Sequence, residues 1–162
     1  MTAEQLKPLI QQALEWLYNN DDYLIMHKGI QLREKDIHVS ERGIVFRFGV
    51  YFQRIALQHP MLHAYNIDTE YNRNLDNVKS LPHTQWAETG ALPDLIVHKR
   101  GNNKNNLLVV EFKAWWSKTN LIEQDRKKLS AFKRDPYNYK NALLVHLNQD
   151  GYQLEWIEGN GL

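Results

Sequence analysis

Two aliphatic runs, Leu92-Pro93-Asp94-Leu95-Ile96-Val97 and Leu107-Leu108-Val109-Val110-Glu111-Phe112-Lys113-Ala114, flank the polar connection Gly101-Asn102-Asn103-Lys104-Asn105-Asn106. Runs of this length around a Gly/Asn-rich break predict a β-hairpin with an extended loop. Strand side chains alternate between faces, so Glu111 and Lys113 share a face with Leu107 and Val109, while Leu108, Val110 and Phe112 share the other. Asp94 opens the partner strand, with Ile96 and His98 on its own side. Charges buried in so apolar a hairpin are costly unless partnered. A divalent cation held between Asp94 and Glu111 would satisfy them, and so would a structural ion pair between Lys113 and one carboxylate.

The chain of 162 residues suits a single domain, read as an N-terminal helical extension over 1–39 and a core over 40–158. The absence of cysteine rules out disulfides and thiolate zinc sites. No run is long enough to span a bilayer, and Met1-Thr2-Ala3-Glu4 does not open a signal peptide, so the expectation is a cytoplasmic protein without membrane contact. A formal charge of +1 neither requires nor excludes a polyanion. Its distribution says more: His98-Lys99-Arg100, Lys104, Arg126-Lys127-Lys128 and Lys133-Arg134 surround the hairpin. Each cluster is either a solvated face or part of a nucleic-acid surface.

Helical spacing of Leu6, Leu9, Ile10, Ala13, Leu14 and Leu17 predicts an amphipathic helix over Glu4 to Tyr18, beginning or kinking near Lys7 because of Pro8. Tyr23 to Ile30 is ambiguous between strand and irregular structure. Ser40 is a candidate N-cap for a second helix from about Glu41 to Gln58, with Ile44, Phe48, Phe52 and Ile55 as its apolar stripe and Pro60 beyond its end. Glu41 projects along that stripe, although the simpler account on spacing alone is a carboxylate complementing the helix dipole. Alternation from His63 to Arg73 predicts a half-polar strand, followed by a long aperiodic connection over Asn74 to Ala91 that is either a cover for a site or unstructured. A helix over about Asn120 to Lys133, burying Leu121, Ile122, Leu129 and Phe132, then precedes strands at Ala142–Leu147 and Tyr152–Ile157. The order predicts an α/β domain with a mixed central sheet flanked by helices.

Glu-x-Lys alone is weak, but here it ends an aliphatic strand paired with one opened by Pro93-Asp94. Two carboxylates on adjacent strands can share one hard cation such as Mg²⁺, and a lysine two residues along the same face can act on its water. Pro93-Asp94 with Glu111-Phe112-Lys113 resembles the PD-(D/E)XK nuclease superfamily, the restriction-endonuclease-like fold. The resemblance runs from about Ser40 to Ile157, and Ser40-Glu41-Arg42, Glu70-Tyr71-Asn72-Arg73, His98, and Asp125 with Lys128-Leu129 resemble an uncharacterised bacterial branch of that superfamily. It implies that Asp94, Glu111 and the Phe112 carbonyl bind Mg²⁺ or Mn²⁺, that Lys113 positions and activates the attacking water, and that Glu41 holds a second ion or its water. It also implies DNA as substrate, with RNA equally compatible with the residues.

Around this centre, Lys99, Arg100 and Lys128 are candidate nucleic-acid contacts. Asp125 and Lys128 stand three apart on one helix, so either they pair with each other or Lys128 reaches a phosphate. Glu70 faces the site or caps a polar edge, His98 is more readily a structural histidine, and one of Trp115 and Trp116 belongs to the core while the other is a candidate stacking surface. His59 and His63 have zinc-like spacing, but Pro60 spoils the helix that would present both. The sequence thus points first to a metal-dependent nuclease, acting as a homodimer or within a larger nucleic-acid-processing complex. Its rivals are a catalytically silent module of the same fold that binds nucleic acid or protein, and a small immunity or regulatory protein carrying the motif by accident.

Overall fold

A computed structural model describes residues 1–25 and 40–158 of the chain. Among the described residues four helices, α1 (Ala3–Asn20), α2 (Glu41–Gln58), α3 (Trp86–Thr89) and α4 (Thr119–Phe132), accompany seven strands. Five of the strands, β1 (Asn66–Thr69), β4 (Leu95–His98), β5 (Leu108–Ala114), β6 (Asn141–Leu147) and β7 (Tyr152–Trp156), form one sheet in the order β1-β4-β5-β6-β7. Strands β2 (Arg73–Asn74) and β3 (Asn77–Val78) make a separate small hairpin. Only β5 and β6 run parallel, as the crossover through α4 requires; the other pairs are antiparallel. The mixed α/β architecture is therefore the one the element order predicts.

Alternation along the central strands divides the core in two. Leu108, Val110, Phe112, Leu143 and Val145 face α1 and α2, while Ile96, Val109, Ala142 and Leu144 face α4. This two-sided burial explains why β5 and β6 read as nearly unbroken apolar runs. It also puts every polar residue of β5 inside the protein.

α1 begins earlier than Pro8 suggested. The Thr2 hydroxyl accepts from the Gln5 amide and the Gln5 side chain accepts from the Thr2 amide, a reciprocal cap that fixes the first turn. Ser40 occupies the N-cap of α2 in extended backbone but makes no side-chain capping bond. The half-polar strand is shorter than its alternation suggested: β1 stops at Thr69, and Glu70 follows with φ of 49°, a left-handed conformation that breaks the pleat. Leu121 is 40 % exposed, so the buried face of α4 is rotated from the expected one and carries Asp125 and Lys128 with Leu129 and Phe132. Of the ambiguous stretch Tyr23–Ile30, Tyr23 and Leu24 belong to a 3-10 turn spanning Asp22–Leu24, and the part from Met26 onward lies outside the described residues. No helix among the described residues is long and apolar enough to cross a membrane.

The 74–91 connection is ordered around one buried cation. The Lys79 ammonium lies 5.2 to 5.7 Å from the ring centroids of Tyr71, Phe132, Tyr137 and Tyr139 and donates to the Tyr139 hydroxyl at 3.4 Å. Burial depresses its pKa to about 8, against the opposing pull of Asp68. A lysine whose folded pKa is lowered costs stability below that pKa and regains it as pH rises toward the unfolded value of about 10.4. Lys79→Met is therefore expected to stabilise the protein by about 1–2 kcal/mol at neutral pH, after allowing for the lost cation–π contacts, with the gain shrinking by about pH 10. Thermal unfolding of both proteins across that range checks it.

Candidate metal and catalytic centre

The register of β4 on β5 pairs Leu95 with Val110, and one step further sets Asp94 across from Glu111. Cross-strand partners on one face lie within about 5.5 Å at Cβ, so the two carboxylates meet. A wide separation would have supported the accidental-motif reading. Asp94 accepts the Phe112 amide at 2.7 Å, which anchors its side chain over the third strand of the sheet. Glu111, 1 % exposed, receives the Lys128 ammonium against both oxygens at 2.8 and 2.9 Å, and Lys128 also donates to the Leu92 carbonyl at 2.7 Å.

Lys113 extends the same face of β5. Its ammonium meets Glu41 Oε1 at 3.0 Å, Asp125 Oδ2 at 2.8 Å and its neighbour's Phe112 carbonyl at 2.8 Å. Glu41 reaches the site from the first turn of α2 and uses its other oxygen to accept from the Ala114 amide at 3.0 Å and the Ser117 hydroxyl at 3.3 Å. The helix-dipole account of Glu41 is thus too weak, since the side chain reaches across to the sheet. Asp125 and Lys128 do not pair with each other: each turns toward β5, Asp125 to Lys113 and Lys128 to the more deeply buried Glu111.

The electrostatics follow from this crowding. Burial pushes the Asp94 carboxyl up to about 6, partly offset by the Phe112 amide, Lys128 and Lys113. Burial also raises Glu111 well above the ordinary carboxylate range, and the adjacent Asp94 charge adds to it. Burial alone would lower Lys113, but Asp125 and Glu41 outweigh it and hold the amine firmly protonated. Glu111 Oε1 and Asp125 Oδ2 are buried and, although each touches an ammonium, neither accepts a well-aligned hydrogen bond. The carboxylates of Asp94 and Glu111 and the Phe112 carbonyl are oxygen donors of the kind a hard cation takes. Among the described residues no group of three His, Cys, Asp or Glu side chains could hold an ion, so water would have to complete the coordination of Mg²⁺ or Mn²⁺.

A cavity of about 160 Å³, lined by Arg42, Val45, Phe46, Thr69, Glu70 and Asp94, opens beside the carboxylates. Glu70 stands at its mouth in an ion pair with Arg42 at 2.7 Å. Lys99 and Arg100 are not brought to the centre. They follow β4 whereas Asp94 precedes it, about 17 Å away along an extended strand. Arg100 instead holds Asp68 at 2.9 Å, and Lys99 lies over the Tyr65 ring. His98 is a structural histidine bonded to Asp68 at 2.8 Å. Trp116 packs against the core, and Trp115 donates to the Ile25 carbonyl at 3.3 Å.

Comparison of the chain with models of protein families, with characterised proteins and with solved structures finds no match. The fold and site define a mixed α/β protein with a buried carboxylate and lysine centre, and the function rests on that geometry.

Proposed function

We propose that the chain is a metal-dependent nuclease of the PD-(D/E)XK kind, with a restriction-endonuclease-like core, that hydrolyses DNA phosphodiesters by attack of water. The observation that carries this reading is the convergence of Asp94, Glu111, Lys113 and Glu41 on one end of the sheet, with the Glu111 carboxylate buried and its Oε1 lacking a well-aligned hydrogen bond. Asp94, Glu111 and the Phe112 carbonyl would hold Mg²⁺ or Mn²⁺, which would supply Lewis acidity toward the phosphodiester. Lys113, kept charged by Asp125 and Glu41, would hold a water or phosphate oxygen by hydrogen bonding and stabilise developing negative charge. Held by Glu41 and Asp125, its ammonium would serve as a positioning donor. Glu41 fixes Lys113 from the helix side, and Lys128 balances the charge on Glu111.

Cleavage of supercoiled plasmid and single-stranded DNA tests this directly. The native chain should cut with Mg²⁺ or Mn²⁺ and not in EDTA, and Asp94→Ala or Lys113→Ala should abolish cutting. Unchanged cleavage by either variant would contradict the mechanism.

A second reading, a silent module of the same fold that binds nucleic acid or a protein partner, is favoured by one observation. Every charge in the centre except Asp94 already has an ionic partner within the chain, Glu111 with Lys128 and Lys113 with Asp125 and Glu41. Absence of heat on titration with Mn²⁺, together with absence of cleavage, would select it.

A further inference from the structure

We propose that the groove between α2 and β1 is a track for single-stranded nucleic acid that leads into the candidate centre. This rests on the nuclease reading for what happens at its end, but the track itself is a binding site and is tested as one.

α2 lies close against the edge strand. A Cβ on Gly49 would meet Thr69 Cγ2 at 3.3 Å and Leu95 Cδ1 at 3.6 Å, so the missing side chain lets helix and strand approach here. Along this flank runs a groove of about 430 Å³ walled by Phe46, Val50, Gln53 and Arg54 of α2 and by Ile67 and Thr69 of β1. It shares Phe46 and Thr69 with the cavity of about 160 Å³ that Asp94 lines. The two depressions adjoin at Phe46 and Thr69, and the volume of the groove suits a ligand the size of a nucleotide.

Its chemistry alternates between cation and aromatic. Phe46 is 59 % exposed although the rest of its helix buries three other large aromatic rings, Phe48, Tyr51 and Phe52. Arg42 lies at the end nearer the centre and Arg54 at the far end, about 18 Å apart along the helix, a span of a few nucleotides. The wall carboxylates are already neutralised, Asp68 by His98 and Arg100 and Glu70 by Arg42. A visiting phosphate thus meets the Arg54 guanidinium and the Arg42 guanidinium already engaged by Glu70, and no unpaired anion from these residues. An exposed ring between arginines suits a splayed base with its backbone held on either side, and a duplex keeps its bases stacked out of reach. Apolar Leu57 and Met61, 62 % and 48 % exposed, continue past the groove, so a second copy of the chain is the rival occupant.

The test is fluorescence anisotropy of a labelled short oligothymidylate in EDTA, where cleavage does not intervene, with sedimentation of the same samples. Because Phe46 is largely exposed, Phe46→Ala leaves the core intact. It should weaken binding roughly 5- to 100-fold, Phe46→Trp should restore it, and Arg54→Ala should flatten the salt dependence by about 0.7 in the logarithmic slope. A duplex of equal length should bind more weakly and without dependence on Phe46. Unchanged affinity in Phe46→Ala overturns the track, as does a fall from dimer to monomer in that variant with affinity preserved. Plasmid cleavage separates the two claims. A Phe46 effect on binding by a chain that never cuts upholds the track and ends the nuclease reading, whereas normal cutting with no Phe46 effect does the reverse.

Discussion

Asp94→Asn is expected to abolish Mg²⁺-dependent cleavage and, at the same time, to make the protein more stable. The amide oxygen of asparagine can still accept the Phe112 amide, so the anchoring bond at 2.7 Å survives. What disappears is a carboxylate whose pKa burial lifts from 3.8 to about 6 and whose charge also repels Glu111. The sign follows from linkage. A carboxyl with a folded pKa above its unfolded value contributes its full stability below about pH 4 and loses it as pH rises through about 6. Above that range the native side chain costs about 1–3 kcal/mol, the upper figure from roughly 1.36 kcal/mol per pKa unit and the lower allowing for the part of Asp94 that faces solvent. Asp94→Asn should recover that amount and raise the melting temperature by a few degrees at neutral pH, with little difference near pH 4. An ion pair through Asp94 would predict loss of stability instead, and calorimetric melting at both pH values tests for it.

Lys113→Met should act in the opposite direction on stability and in the same direction on cleavage. Removing the ammonium strips Glu41 and Asp125 of their common partner at 3.0 and 2.8 Å. Breaking a buried pair from one side costs about 3–5 kcal/mol, and the partial exposure of Glu41 places this case toward the lower end. Loss of a positioned cationic donor should lower the cleavage rate by about 10²–10³-fold. A second substitution, Asp125→Asn, removes one of the orphaned charges. The double variant should regain part of the lost stability in denaturant unfolding and none of the activity. If cleavage returns along with stability, Lys113 serves the fold and not the chemistry.

The hairpin and its charges were legible in the sequence because strand alternation depends only on local spacing. The facing of Asp94 and Glu111 follows from the connection between two apolar runs, whereas Ser40 placed Glu41 in the first turn of a helix and only the family resemblance pointed it at the site. Pairings across the α4 crossover were not legible. Asp125 and Lys128 sit three apart and suit each other on an isolated helix, but α4 packs that face onto β5, where Lys113 and Glu111 offer them opposite charges. Lys99 and Arg100 adjoin the hairpin in sequence, yet a strand has two ends and they stand at the wrong one. Lys79 escaped notice because its cage is assembled from Tyr71, Phe132, Tyr137 and Tyr139, four rings drawn from three separate segments. Neither periodicity nor composition of the 74–91 connection encodes them. The groove along α2 was equally hidden, since Phe46 is conspicuous only once its exposure is known.

The central claim is that Asp94 and Glu111 share a divalent cation. Titration calorimetry with Mn²⁺ near pH 7.5, run in two buffers of different ionisation enthalpy, measures it most directly. The native chain should bind the ion with release of protons from the raised carboxyls, and both Asp94→Asn and Glu111→Gln should abolish the binding. Absence of Mn²⁺ binding by the folded native chain, or binding that survives both substitutions, would contradict the account.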